Sequence, residues 1–357
     1  MRRVAMLAAA VAAAATVSAC AGVAAEPSPG SSIPAATTSA VVASGGADSA
    51  SPQVSVRADA GANVGTGTGT GTGTAAQPTS FYDAANQADV AYQQAKDQGR
   101  EADAALLERI ASQPAATWLG EWSGDVAGTV RTITHDAAAA DQIALLVVYD
   151  IPGRDCGLYS AGGAAQGEYL AWVGQVASGI ADDATVWVIL EPDALAQMGD
   201  CDGQGDRAAL LAGAARTLDD AGAEVFLDAG HAGWNSAADT AARIEQVGTQ
   251  HLAGFATNTS NYDDTSAEQA WADQVASAVG LPYVVDTSRN GNGSTGEWCN
   301  PRGRALGQNP GLTGRATGMI ATVWAKVPGE SDGTCNGGPA AGQWWDEMAL
   351  ELARDAS

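Results

Sequence analysis

At 357 residues, with 46% hydrophobic residues and 44 glycines, the chain is long enough for one large domain or two small ones. Its formal net charge is −24, and Lys96 and Lys326 are its only lysines. That balance leaves no basic patch to neutralise phosphates, which excludes nucleic acid and polyanionic substrates and favours a neutral or cationic ligand.

Residues 1–20 (MRRVAMLAAAVAAAATVSAC) run from two arginines through an Ala/Val-rich apolar stretch to small residues. This is the layout of an export signal, too short and too weakly flanked for a spanning helix. Its end, Val17-Ser18-Ala19-Cys20, resembles a bacterial lipobox, whose cysteine becomes the lipidated first residue of the mature protein. A lipid on Cys20 accounts for the odd cysteine among five and would tether the protein to the outer membrane face. The alternative is ordinary secretion with Cys20 discarded; both routes lead to an oxidising compartment. Residues 21–78 are mostly Ala, Gly, Ser, Thr and Pro and include GTGTGTGTGT at 65–74. So little apolar surface cannot offset the entropy of ordering, so a disordered spacer is expected.

The remainder, 79–357, reads as a single domain of the size that α/β barrels favour. Its apolar runs are ATWLGEW (116–122), IALLVVYD (143–150), TVWVILEPD (185–193), EVFLDAG (224–230), HLAGFATNTSN (251–261), PYVVDTSRN (282–290) and MIATVWAKVPG (319–329). Ala-rich segments with helical patterning, such as 164–180 and 207–221, lie between them. Runs without polar alternation, separated by helices, predict a parallel sheet covered on both faces, either open and doubly wound or closed into a barrel.

Asp155, Glu191, Asp193, Asp228 and Asp332 fall at or just beyond the ends of these runs, where parallel α/β folds place their active sites. Any one of them could be a helix N-cap; five together indicate a carboxylate cluster. In TVWVILEPD an extended strand puts Glu191 and Asp193 on the same face, and Pro192 disfavours an early helical turn. A carboxyl just past an apolar strand is poorly solvated, so its pKa rises, which suits a general acid.

Cys156, Cys201, Cys299 and Cys335 permit three pairings. The sequential one, 156 with 201 and 299 with 335, would fix the loops that carry Asp155, Asp193 and Asp332. Ten tryptophans stand against three phenylalanines, and Trp118, Trp122, Trp234 and Trp298 lie in loop-like polar contexts. Indole faces beside carboxylates suggest a carbohydrate cleft, although each alone could serve core packing. His135, His231 and His251 show no metal-ligand spacing, and no Gly-x-Ser-x-Gly elbow supports a serine triad, so neither a catalytic metal nor a cofactor is expected.

VVYDIPGRDCG, VILEPDALA, FLDAGHAGW, NTSNY, DTSRNGNG with EWCNP, and VWAKVPGESDG occur in order along nearly all of 79–355. They resemble the motifs of glycoside hydrolase family 6, the endoglucanases and cellobiohydrolases that cleave β-1,4-glucan with inversion. The resemblance implies a distorted, partly open α/β barrel related to the TIM barrel. It implies Asp193 as general acid, Asp155 as the carboxylate that raises its pKa, and Tyr149 beneath the distorted sugar. Asp332 becomes the candidate base, acting through water that Ser160 could hold. Implied substrate contacts are Trp118, His231, Trp234, Asn258, Trp298, Lys326 and Glu330, with Asp228 as a supporting carboxylate.

Cellobiohydrolases of the family roof their cleft with two long loops. Here GLYSAGGAAQGEYLAWV runs quickly into a helix and only the 25 residues 333–357 follow Asp332, so an open cleft and an endo-acting monomeric enzyme are expected. An exo-acting cellobiohydrolase and a non-catalytic surface glucan-binding protein are the rival readings. Residues 21–78 lack the aromatics and cysteines of a cellulose-binding module, which favours soluble or amorphous glucan.

Overall fold

The computed structural model describes residues 78–356; the export signal with Cys20, and the spacer as far as residue 77, lie outside the described residues. The seven apolar runs form seven strands: β1 (Thr117–Leu119), β2 (Ile143–Val148), β3 (Thr185–Leu190), β4 (Glu224–Asp228), β5 (Gly254–Thr257), β6 (Tyr283–Asp286) and β8 (Met319–Val323). Helices α3 (Val126–Ala139), α4 (Tyr169–Ser178), α5 (Arg207–Asp219), α6 (Ala237–Val247) and α7 (Thr265–Val279) separate the first six. Side chains cap several of them: Asp125, Asp206 and Ser236 each accept a backbone N–H in the first turn of α3, α5 and α6.

With the two-residue β7 (Gly311–Leu312), the sheet order is β1-β2-β3-β4-β5-β6-β8-β7. All neighbours are parallel except β7, which pairs antiparallel with β8 and adds a short antiparallel edge to the expected parallel sheet. Two residues carry no periodic signal; Thr313, whose N–H donates to Ile320 O, closes this small hairpin. β1 and β8 share no ladder, yet the Ala116 amide donates to Trp324 O at 2.9 Å and the Trp118 indole N–H to Ala325 O at 2.6 Å. The sheet therefore curls until its ends touch, giving the partly open barrel implied by the motifs.

Strand alternation separates two apolar layers. Leu146, Val148, Val188, Leu190, Val225, Leu227 and Phe255 face the helices. Leu145, Val147, Trp187, Ile189, Phe226, Ala256, Val284 and Val323 fill the barrel interior. This two-sided burial is why the runs lack polar positions. A third cluster packs α1 (Gln87–Asp97), α2 (Glu101–Ala111) and α8 (Asp346–Asp355) against Trp324 and Val327, just beyond β8. No described helix is long and apolar enough to cross a membrane.

Candidate active site

A cleft of about 960 Å³ opens at the C-terminal ends of the strands. It is lined by Trp118, Tyr149, Asp155, Ser160, Asp193, His231, Trp234, Trp298, Lys326, Glu330 and Asp332, so the structure brings together most of the residues singled out from the sequence.

β3 ends in a sharp change of backbone. Glu191 and Asp193 adopt left-handed φ values of 51° and 70°, which are strained for residues with a Cβ. The strand period stops there, and the expectation that the two carboxylates share a face is overturned. Glu191 turns to the helix layer, where it accepts the N–H groups of Asp150 and Ile151, each at 3.1 Å, and the Tyr169 hydroxyl at 2.9 Å. Asp193 turns to the cleft. Its amide donates to Asp228 Oδ1 at 2.9 Å. Burial, followed by the charges of Asp228, Asp155 and Asp332, holds the Asp193 carboxyl well above the ordinary carboxylate range. A carboxyl lining a cleft with its pKa raised in this way is suited to hold a proton and donate it.

Asp228, read from the sequence as a supporting carboxylate beside the substrate contacts, is buried beneath this arrangement and does not line the cleft. Oδ1 accepts the amides of Asp193 and Gly230, and burial pushes the carboxyl up to about 7.

Asp155, also left-handed at φ 56°, accepts the Ser160 amide at 2.7 Å. Burial raises its pKa, opposed by the Ser160 amide, the Gln197 side chain and the Arg154 charge. Arg154 ties this corner together. Its guanidinium donates to Glu121 at 2.7 and 2.9 Å, to Tyr149 O at 2.8 Å and to Ser160 O at 2.7 Å. It lies 4.7 Å from the Tyr149 ring and 5.1 Å from the Trp122 ring. The backbone of Ser160 is thus pinned from both sides, with its side chain at the cleft.

Asp332 is 8% exposed and receives three donors: Arg289 Nη1 on Oδ1, and the Tyr262 hydroxyl and Asn300 amide on Oδ2, each at 2.9 Å. Arg289 is itself 1% exposed, with its guanidinium 4.3 Å from the Tyr262 ring. The cysteines pair sequentially, 156 with 201 and 299 with 335. The first bridge adjoins Asp155, and the second joins the loop of Trp298 to that of Asp332.

At one side of the cleft Lys326 Nζ lies 3.5 Å from Glu330 and 5.5 Å from the Trp118 ring. On another, His231 and Trp234 lie with ring centres 5.5 Å apart. Asn258 departs from its assignment as a substrate contact. It is fully buried at φ 63°, and its side chain bonds Asp263 N, Asp263 O and Asp286 O, so it shapes the loop after β5 and leaves Thr259, Ser260 and Asn261 to line the cleft. The two loops flanking the carboxylates are short, but their tips meet: the Tyr159 ring packs on Gly333 and lies 5.9 Å from Trp298.

Sequence reasoning missed Glu121, Arg154, Tyr262, Arg289 and Asn300 as supports of the carboxylates. A charged residue embedded in a carboxylate-bearing motif, as in GRDCG and TSRNG, is the signal that could have found the two arginines. Among the described residues, two groups gather possible metal-ligating atoms within 4.8 Å: Asp219, Asp220 and His251, and His231, Asp263 and Glu268. In both, the histidine Nδ1 already contacts a carboxylate, Asp219 at 2.7 Å and Asp263 at 2.6 Å, and Glu268 accepts from Ala232 N and Thr257 Oγ1.

Burial dominates the remaining internal carboxyls too, pushing Glu191 and Glu268 up to about 7 each, like Asp228. Unfolded, such groups titrate near 4, so between about pH 4 and 7 the folded chain binds more protons than the unfolded one. Stability therefore falls as pH rises through that window. Thermal unfolding should show a Tm several degrees lower at pH 8 than at pH 5; an equal or higher value at pH 8 would contradict these shifts.

Comparison with known proteins agrees with this geometry. The profile of the glycosyl hydrolases family 6 matches residues 74–356. Endoglucanase A of Cellulomonas fimi is 52% identical over 285 residues, 78% of this chain and 62% of that protein, so the chain spans less than two thirds of this relative. Endoglucanase 1 of Streptomyces sp. (strain KSM-9) is 43% identical over 70% of this chain and 71% of its own. Among solved structures, the endoglucanase Cel6 from Mycobacterium tuberculosis, in complex with methyl-cellobiosyl-4-deoxy-4-thio-β-D-cellobioside, superposes with a TM-score of 0.72 at 39% identity, covering 78% of this chain and 99% of that one.

Proposed function

This chain belongs to glycosyl hydrolase family 6, and we propose that it hydrolyses internal β-1,4-glucosidic bonds of soluble or amorphous glucan by an inverting general acid/base mechanism. The observation that carries this reading is Asp193: a carboxyl in a cleft walled by Trp118, Trp234 and Trp298, whose pKa is raised by burial and by the charges of three neighbouring carboxylates. The indole faces stack on the apolar faces of sugar rings. Asp193 donates its proton to the departing glycosidic oxygen. Asp155 supports the raised pKa of Asp193 and, as a carboxylate beneath the ring, stabilises the positive charge of an oxocarbenium-like transition state. Tyr149, held at its backbone by Arg154, supports the distorted sugar.

Inversion places the attacking water on the opposite face of the ring. Asp332 is proposed as its base, acting through a water held near Ser160. Three donors occupy Asp332, and a carboxylate offers about four acceptor positions, so one remains for a water. Lys326, Glu330, His231 and Trp234 bind the chain on either side of the cleavage point.

Endo action is favoured by the shortness of both flanking loops. With carboxymethyl cellulose and the full chain, viscosity should fall steeply while few reducing ends appear. Reducing ends accumulating at nearly constant viscosity would favour the exo-acting reading, and binding without hydrolysis the non-catalytic one. The two disulfides fit an oxidising compartment. A lipid on Cys20 would keep the enzyme, acting as a monomer, at the cell surface; release of a Cys20→Ala variant into the medium tests the anchor, and its retention on the cell would contradict it.

A further inference from the structure

Asp263 does not line the cleft, but its Oδ2 lies 2.6 Å from Nδ1 of His231, which does. The Gly233 amide N–H also points at Nδ1, at 3.2 Å. These partners make opposite demands. A carboxylate at that distance requires a proton on Nδ1, whereas the amide requires a lone pair there. The shorter, charge-assisted contact prevails, and Nδ1 keeps the proton. Burial lowers the His231 pKa in spite of the attraction of Asp263, which favours the neutral ring with a single proton to place.

The other groups around the ring leave this balance intact. Glu268 on α7 has an oxygen within 4.8 Å of the pair, but its carboxylate is occupied by Ala232 N and Thr257 Oγ1. Asp228, at the end of β4, acts on Glu268 and has Oδ1 committed to backbone amides. The Trp234 ring presents no charge.

We infer that Asp263 is a positioning residue that fixes the tautomer of His231, so that Nε2, on the side of the ring away from Asp263, meets the cleft as a hydrogen-bond acceptor for a sugar hydroxyl. The identity of the occupant rests on the proposed function; the tautomer does not. The loop bearing Asp263 is held through its backbone, because Asp263 N donates to Asn258 Oδ1 and Asp263 O accepts from Asn258 and Asn290. Truncating the side chain leaves those bonds in place.

The test uses the full chain labelled with ¹⁵N in its three histidines. The unmodified protein should show His231 protonated at Nδ1. In Asp263→Ala the Gly233 amide captures Nδ1 and the proton moves to Nε2. With a soluble β-1,4-gluco-oligosaccharide, that variant should raise KM about tenfold, the value of one hydrogen bond, while kcat changes less than about twofold. Asp263→Asn, which keeps an acceptor oxygen, should restore most of the KM. A proton on Nε2 in the unmodified protein, or an unchanged tautomer and KM in Asp263→Ala, overturns the inference. Failure of every form to cleave β-1,4-glucan defeats the proposed function instead, and the nitrogen shifts still decide the role of Asp263.

Discussion

Replacing Asp193 by Asn should lower kcat on unactivated β-1,4-glucan by about 10³-fold, within the range general acid catalysis supplies. Asn preserves shape, and the Asp193 amide can keep its bond to Asp228 Oδ1, so the loop should stay in place. What is lost is the proton for the leaving oxygen. A substrate whose leaving group needs no protonation, such as a dinitrophenyl cellooligosaccharide, should therefore suffer far less, and glucan binding should be nearly unchanged. An equal loss on both substrates would remove Asp193 from the role of acid.

The second large effect concerns stability. Arg289→Met removes the cation that faces Asp332 in a buried site and leaves an uncompensated carboxylate, which should cost about 3–5 kcal/mol. For a domain of this size that corresponds to a Tm lower by roughly 10 °C. Activity should fall with it, because the Arg289 bond to Asp332 Oδ1 is part of what aims the proposed base. Converting both partners, Arg289→Met with Asp332→Leu, should recover part of the stability and none of the activity, since the unpaired buried charge is gone but the Tyr262 hydroxyl and Asn300 amide lose their acceptor. A single Arg289→Met variant as stable as the unmodified chain would mean that water, not protein, already solvates this pair.

The strands were readable because two-sided burial removes polar residues from them, and all seven apolar runs became strands. The carboxylates were readable as a group because parallel sheets present their chemistry at strand ends. Individual directions were not. Strand periodicity governs Ile189 but stops at Glu191, whose left-handed backbone and three donors, from the loop after β2 and from α4, belong to tertiary structure. Asn258 reads as a sugar ligand in NTSNY, yet a left-handed turn folds its amide into its own loop. β7 is too short to leave a pattern. The Asp263–His231 contact joins loops after β4 and β5, and nothing local in HAGW or NYDD indicates it.

The central claim, that Asp193 delivers a proton to one face of the sugar while water attacks the other, is tested most directly by the anomeric configuration of fresh product. Proton NMR during the first minutes of cellooligosaccharide hydrolysis should show the α-anomer at the new reducing end before mutarotation produces β. Initial release of the β-anomer would contradict the account, because it would require a covalent intermediate on a carboxylate that this mechanism uses only to hold charge and protons.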